Sequence, residues 1–202
     1  MRDPLRARLK ILLSSLLIAG GCVLLFMGGR EFVESRVGQK KAAREFHETT
    51  RGGPTRHRAA RPRRPHLGDT VAKLVIPRLD TELYVVEGDD TVDLRRGPGH
   101  LPGTAMPGAN GNCIIAGHRD THFRVLKDIK EGDDIVLETD SGKYLYRVES
   151  TRVVWPNNKA PLKPSTEAVL NLITCYPFYY VGSAPKRFVV EARLTGTIAR
   201  TS

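Results

Sequence analysis

Cysteine is scarce in this chain, and the sequence lacks the spacings that metal sites use. The 202 residues include three cysteines with no paired pattern, so neither a disulfide framework nor a zinc site is indicated. An HExxH sequence is absent, which argues against a zinc peptidase. The pairs Asp89-Asp90 and Asp133-Asp134 each follow a glycine and are expected to be turn carboxylates rather than calcium ligands. We therefore expect no metal and no cofactor.

Net charge is missing from most of the chain. Residues 1–66 hold 15 Lys/Arg and 5 Asp/Glu out of totals of 32 and 22, which leaves 17 of each for residues 67–202. The formal net charge of +10 therefore belongs to the N-terminal third. Clustered positive charge on a folded domain is the footprint of nucleic-acid binding. Its absence beyond residue 66 argues against a nucleic-acid partner.

Residues 11–29 carry no charge at all. At about 1.5 Å per residue, a helix of this length just spans a hydrocarbon core of about 30 Å. A cleaved signal peptide is the alternative, because basic residues precede the run, but no small-residue cleavage site follows it. We predict a signal anchor that crosses the membrane, with residues 1–10 cytoplasmic and the rest of the chain extracytoplasmic.

Residues 30–66 are polar and are interrupted by glycine and proline towards their end. Such a segment buries too little apolar surface to offset the entropy of ordering, so we expect a flexible juxtamembrane stalk. Its first part, up to about Glu48, has a composition that allows the helix to continue. The basic run Arg56–Arg64 is interpreted as a solvated spacer, with contact to anionic lipid or a cell-envelope polymer as the alternative.

Short strands dominate residues 67–202, which we predict to form the folded domain. Apolar and β-branched runs are separated by glycine and proline turns, and Asp140-Ser141-Gly142 indicates a hairpin. Seven or eight short strands with few helices indicate an all-β fold, a closed barrel or a sandwich. The predicted strands lie at residues 71–77, 83–86 and 112–117, on both sides of the hairpin turn, and at 169–174 and 187–194.

Three predicted strands place a reactive side chain at one end. His118 follows IIAG, Cys175 ends LIT, and Arg187 opens RFVVEA. A thiolate is a strong nucleophile, an imidazole can carry protons to and from amines, and a guanidinium can stabilise an oxyanion. Together they would form an acyl-transfer site. Taken singly, each residue has an ordinary structural explanation, so spacing alone does not join them.

Two long segments join these residues by resemblance to a known family. GPGHLPGTAMPGANGNCIIAGHRDTHFRVLKDI resembles the segment around the catalytic histidine of sortases, and LNLITCYPFYYVGSAPKRFVVEA resembles their Thr-Leu-x-Thr-Cys box and arginine strand. TCYPFYYVGSAPKRF and LVIPRLDTELYVVEGDD are most similar to class D sortases. Asn171 stands where the box usually has threonine, and we expect this to change local polarity without abolishing activity.

The resemblance implies a closed eight-stranded sortase-type β-barrel with short helices, and a cysteine transpeptidase as the function. Cys175 would be the nucleophile, His118 the general acid/base and Arg187 the oxyanion-stabilising cation. The substrate would be a sorting-signal peptide of the LPxTG or LPNTA type, held as a thioester and passed to an amine acceptor in the cell envelope. A cysteine peptidase and a non-catalytic peptide-binding β-domain are the alternatives.

The sequence leaves two interpretations open for several residues next to His118 and Cys175. His122 could be mistaken for the acid/base, and Asp120 could orient His118 or simply form a turn. Thr174 could bind substrate or finish its strand. Cys113 is expected to be a small buried residue, although a bond to Cys175 would silence the enzyme.

Overall fold

The computed structural model describes residues 4–51, 65–180 and 182–199. Its two α-helices are α1, Pro4–Arg51, and α2, Thr91–Arg96. Short 3₁₀ turns cover Pro77–Leu79, His122–Asp128 and Ala160–Leu162. The remaining elements are eight strands: β1 Thr70–Ile76, β2 Thr81–Glu87, β3 Gly99–His100, β4 Gly111–Gly117, β5 Asp134–Glu138, β6 Gly142–Val154, β7 Ala168–Tyr176 and β8 Lys186–Ala199.

These strands close into one barrel in the order β1-β2-β3-β4-β7-β8-β6-β5, with β5 pairing back to β1. Two neighbouring pairs are parallel, β2 with β3 and β4 with β7, and the others are antiparallel. Closure removes exposed sheet edges. The predicted all-β closed barrel of eight strands is confirmed, although the two-residue strand β3 was not predicted.

Alternating side chains fill the barrel. On β6, Tyr146 and Val148 are buried while Arg147 between them is exposed, and on β8 Val190 and Ala192 are fully buried. This is the alternation that the sequence predicts for both strands. Each fully buried Val, Leu, Ile or Phe contributes roughly 1.5–3 kcal/mol relative to exposure, so the barrel interior is the main source of stability.

The chain divides into two compact units, residues 1–34 and residues 35–202. In the first unit the described part of α1 has exposed apolar side chains, with Leu16, Leu24 and Leu25 71%, 73% and 77% exposed. Within the described parts of the chain, no helix combines the length and apolarity that crossing a membrane requires. The predicted span at residues 11–29 stays a prediction.

The last part of α1 belongs to the second unit and packs on the barrel. Ser35, Ala42 and Phe46 are buried, with exposed fractions of 8%, 0% and 7%. Gly38 allows close approach, since a Cβ at this position would lie 2.6 Å from the Cα of Arg96. These positions repeat every three to four residues and form one helix face.

Hydrogen bonds fix this face to β2 and to the end of α2. The Gln39 side chain donates to the carbonyls of Tyr84, at 3.0 Å, and Arg96, at 2.9 Å. It also accepts from the Tyr84 amide at 2.8 Å. The helix ends at Arg51, close to the continuation to about Glu48 that the composition allows, but the packing of this segment on the barrel differs from the expected flexible stalk. Residues 52–64 of the expected stalk, which include the whole basic run Arg56–Arg64, lie outside the described residues.

Removing this packed segment should destabilise the barrel. We expect the free energy of unfolding of a fragment of residues 65–202 to be lower by at least about 3 kcal/mol than that of a fragment of residues 35–202. The lost free energy combines the apolar contact between Phe46 and the barrel with the three hydrogen bonds of Gln39. Urea unfolding followed by circular dichroism measures the difference. Gln39→Ala should reproduce part of it, whereas Lys40→Ala, at an exposed position, should not; equal midpoints for both fragments would contradict the prediction.

Candidate active site

The ends of β4, β7 and β8 meet at one rim of the barrel. β4 and β7 run parallel with Gly117 opposite Thr174, so the residues that follow, His118 and Cys175, emerge side by side. Cys175 is also the direct cross-strand partner of Arg187 on β8. The structure thus brings the three predicted residues to one rim, while their chemical roles stay predictions.

All three side chains are half-buried, so each is anchored and still accessible. The Arg187 guanidinium donates through Nη1 to the carbonyls of Lys186, at 3.1 Å, and Ala184, at 3.4 Å. Both acceptors are neutral carbonyls, and the contact to Ala184 is longer than the usual N–H···O range of about 2.7–3.2 Å.

Gly117 and Phe123 shape the loop that carries His118. The amide of Phe123 donates to the His118 carbonyl at 2.9 Å, which folds the following 3₁₀ turn back over the strand end. A Cβ on residue 117 would lie 2.6 Å from the ring of Phe123, which is fully buried. Glycine is thus required here by close approach, and Phe123 fixes the loop from the core side.

Thr174, just before Cys175, is turned inward. It is 2% exposed, and its hydroxyl donates to the Gly117 carbonyl at 2.7 Å. Of the two interpretations left open by the sequence, this contact supports the structural one, in which the hydroxyl ties β7 to β4 beside the site. The hydroxyl is not offered to a substrate in this arrangement.

His122 is buried and contacts α1. It is 7% exposed, and its Nε2 lies 3.1 Å from the hydroxyl of Ser35 on α1. Burial lowers the pKa of His122 to about 4, assisted by the nearby His118 and opposed by a hydrogen bond to the backbone of Arg95. A neutral, enclosed imidazole of this kind holds α1 to the loop and is poorly suited to acid catalysis at neutral pH.

This burial should make stability depend on pH. The unfolded chain protonates His122 near pH 6.5, the folded protein only near pH 4, so stability is full above about pH 6.5 and falls towards pH 4. The expected loss is about 3 kcal/mol. Urea unfolding from pH 4 to 7 measures it, and His122→Gln should remove this part of the dependence. Equal pH slopes for wild type and His122→Gln would refute the assignment.

Cys113 lies inside the barrel and does not belong to the rim. It is 1% exposed, and burial, with a smaller contribution from Glu87, raises the pKa of its thiol well above the usual range. It pairs with Leu170, five residues before Cys175 on β7, a separation of about 16 Å along a strand. A disulfide needs Cα atoms within about 7 Å. The expected small buried residue is confirmed, and both cysteines are free.

Asn171, the position that departs from the family box, is part of a buried amide pair. Its side chain donates to Asn112 at 2.8 Å, and Asn112 in turn donates to the carbonyls of Pro161, at 2.8 Å, and Lys163, at 2.9 Å. The pair ties the loop between β6 and β7 to the barrel. The expected change in local polarity therefore has a structural purpose.

Asp120 and metal binding can be assessed in the same region. Asp120 is exposed in the turn after His118, and its effect on His118 stays a prediction. Among residues 4–51, 65–180 and 182–199, no group of three or more His, Cys, Asp or Glu side chains is arranged to hold a metal ion.

Two side chains near the rim were missed by sequence reasoning. Trp155 follows Val154, the β6 partner of Arg187, and is 61% exposed with the Lys186 ammonium 5.0 Å from its ring centre. Arg119, next to His118, contacts the loop between β7 and β8. The only tryptophan of the chain, placed directly after a strand, was a usable signal; Arg119 gave none, because its partners are distant in sequence.

Fold and rim together define the class, a β-barrel protein with a thiol and an imidazole on neighbouring strand ends. The family model that matches residues 74–195 is the sortase domain. Sortase D of Bacillus subtilis (strain 168) is 32% identical over 187 residues, covering 88% of this chain and 94% of that protein. The chain belongs to the sortase family and is a cysteine transpeptidase that processes sorting signals.

Solved structures agree with this assignment. A Clostridium perfringens Sortase D5 transpeptidase has a TM-score of 0.67 at 27% identity, with 79% of this chain and 99% of that chain covered. The catalytic domain of SrtD from B. anthracis has a TM-score of 0.58 at 33% identity, with 73% and 100% covered. The expected similarity to class D sortases is confirmed.

Proposed function

We propose that Cys175 is the nucleophile of this transpeptidase, His118 its general acid/base and Arg187 its oxyanion-stabilising cation. The Cys175 thiolate attacks the scissile carbonyl, and the C–N bond breaks as His118 protonates the leaving amine. The thioester is then attacked by an acceptor amine, which gives its proton to His118 and restores the thiolate. The observation that carries this proposal is the register that sets Cys175 opposite Arg187 and next to the strand end of His118.

Arg187 suits the oxyanion role because its present partners are weak. The guanidinium has neutral carbonyls at 3.1 and 3.4 Å, whereas the tetrahedral oxyanion would carry a full negative charge. An oxyanion adds a charge–charge attraction to the guanidinium that a neutral carbonyl cannot supply. The exchange therefore favours the transition state over the free enzyme, which is the condition for catalysis.

The substrate is a peptide of the LPxTG or LPNTA type from an exported protein, and the acceptor is an amine of the cell envelope. Exposed aromatic side chains border the rim, with Trp155 after β6 and Tyr179 and Tyr180 after β7, 61%, 70% and 47% exposed. Such rings offer apolar surface to the leucine and proline of a sorting signal. Family membership and this aromatic border support the substrate class.

The enzyme acts at the outer face of a membrane, anchored through residues 11–29 with its N-terminus in the cytoplasm. The support comes from the uncharged run of 19 residues, which follows basic residues and precedes a polar segment. Fractionation of cells that express the full chain, with protease added from outside, tests this arrangement. Recovery of the chain in the soluble fraction without detergent would contradict it.

Incubation of the full chain in detergent with an LPxTG-type or LPNTA-type peptide and an amine tests the chemistry. Mass spectrometry should detect a thioester on Cys175 and a peptide–amine product. Release of free peptide acid without amine product would favour a cysteine peptidase. Saturable peptide binding without any adduct would favour a binding domain.

A further inference from the structure

The loop between β7 and β8 joins the proposed nucleophile to the proposed oxyanion cation, and Arg119 holds it. The Nη2 atom of Arg119 donates to the carbonyls of Tyr180 and Gly182, each at 2.8 Å. Its guanidinium also lies 5.8 Å from the centre of the Tyr180 ring. Arg119 comes directly after His118 in the chain, so a single residue links the histidine loop to this second loop.

Arg187 binds carbonyls at the C-terminal end of the same loop. Its Nη1 donates to the carbonyls of Ala184 and Lys186. Arg119 donates hydrogen bonds to the carbonyls of residues 180 and 182, and Arg187 donates to those of residues 184 and 186. Every second carbonyl from 180 to 186 therefore accepts a hydrogen bond from an arginine. The loop that Arg119 binds therefore also carries Ala184, one of the two acceptors of the Arg187 guanidinium.

Part of this arrangement costs stability. The Nη1 atom of Arg119 is buried without a hydrogen-bond partner in the described structure, and an unsatisfied buried donor lowers stability. A side chain that served only stability would gain little from a buried donor without an acceptor. Local violations of hydrogen-bond satisfaction are expected where a residue serves a functional site.

We infer that Arg119 is a positioning residue of the transpeptidation. It fixes the position of the Arg187 guanidinium by holding the loop between β7 and β8 against the loop that carries His118. The inference rests on the proposed roles of Cys175, His118 and Arg187. Arginine is required because a planar guanidinium binds two carbonyls and packs on Tyr180 at once, whereas a lysine ammonium offers no planar face for this packing.

Transfer kinetics of the full chain in detergent test the inference, with thermal unfolding measured in parallel. Arg119→Gln should lower kcat about 10- to 100-fold, with KM changed less than about threefold and Tm lowered by no more than a few degrees. Arg119→Lys should recover only part of kcat. The matched control is Arg124→Gln, which removes a cation 5.3 Å from the ring centre of Tyr179 in the same loop and should stay within about threefold of wild type.

A double-mutant cycle separates positioning from simple destabilisation. If Arg119 acts through Arg187, Arg119→Gln should have little further effect on kcat in an Arg187→Lys background. Fully additive losses, or wild-type kcat in Arg119→Gln, would overturn the inference.

Amide hydrogen exchange of residues 177–186 provides a measurement that needs no turnover. Exchange should accelerate in Arg119→Gln and not in Arg124→Gln. A wild-type chain that forms no thioester would refute the proposed function, and unchanged exchange in Arg119→Gln would refute the positioning by itself.

Discussion

Replacement of Cys175 by alanine should lower peptide transfer by at least about 10³-fold and abolish the thioester adduct. Because Cys175 is the proposed nucleophile, the reaction loses its covalent route without this thiol. The half-buried position of the side chain makes the substitution mild for the fold, with a change in unfolding free energy below about 1 kcal/mol. Single-turnover kinetics and intact-protein mass spectrometry measure both effects.

Cys113→Ala is the matched control, because it also removes a thiol, but from the barrel interior. Cys113 packs among buried residues of the core, so its truncation should leave a small cavity and cost about 1 kcal/mol or more of stability. Transfer activity and the adduct should persist. An adduct that survives in Cys175→Ala and disappears in Cys113→Ala would show that the nucleophile was assigned to the wrong strand.

Replacement of His118 by alanine should lower kcat about 10²- to 10⁴-fold, the range that proton transfer by a placed side chain usually contributes. The amine leaving group would then depart without a proton donor. His122, four residues later, cannot substitute, because its imidazole is buried, neutral at physiological pH and in contact with Ser35. Single-turnover kinetics measure the loss.

The control for this experiment is His122→Gln, which should keep the wild-type pH–rate profile while losing stability. An amide at this position still offers a polar partner to Ser35. Near-normal transfer by His118→Ala, together with an inactive His122→Gln, would reverse the assignment of the two histidines.

The strands that carry the proposed site were predictable, because β4, β7 and β8 are apolar runs with clear ends at Gly117, Tyr176 and Lys186. Strand β3 was not, since two residues have no periodicity and its pairing depends on partners in β2 and β4. Local pattern reveals an element only when the element is long enough to repeat.

The packed end of α1 shows a second limit of sequence reasoning. Its contact face includes Gly38, Gln39 and Glu45, which make the segment appear polar and mobile. Gln39 is nevertheless the main hydrogen-bonding anchor to the barrel, and Glu45 binds Thr70 and Arg96. A helix that docks through backbone carbonyls and close approach has a weak apolar stripe, so its packing emerges only with the tertiary structure.

The proposed site was found by resemblance and not by spacing. His118 and Cys175 are far apart in the chain, and only the structure sets Gly117 opposite Thr174. Arg119 was missed for the same reason, because its acceptors Tyr180 and Gly182 lie 61 and 63 residues further along.

The parallel pairing of β4 with β7 has a consequence for how activity appears during folding. Gly117 and Thr174 are 57 residues apart, and contacts between such distant segments form late, because the entropy of closing a long loop has to be overcome first. Until those two strands align, the thiol has no imidazole beside it. A newly synthesised chain would therefore have no transfer activity towards the peptides around it until this pairing has formed.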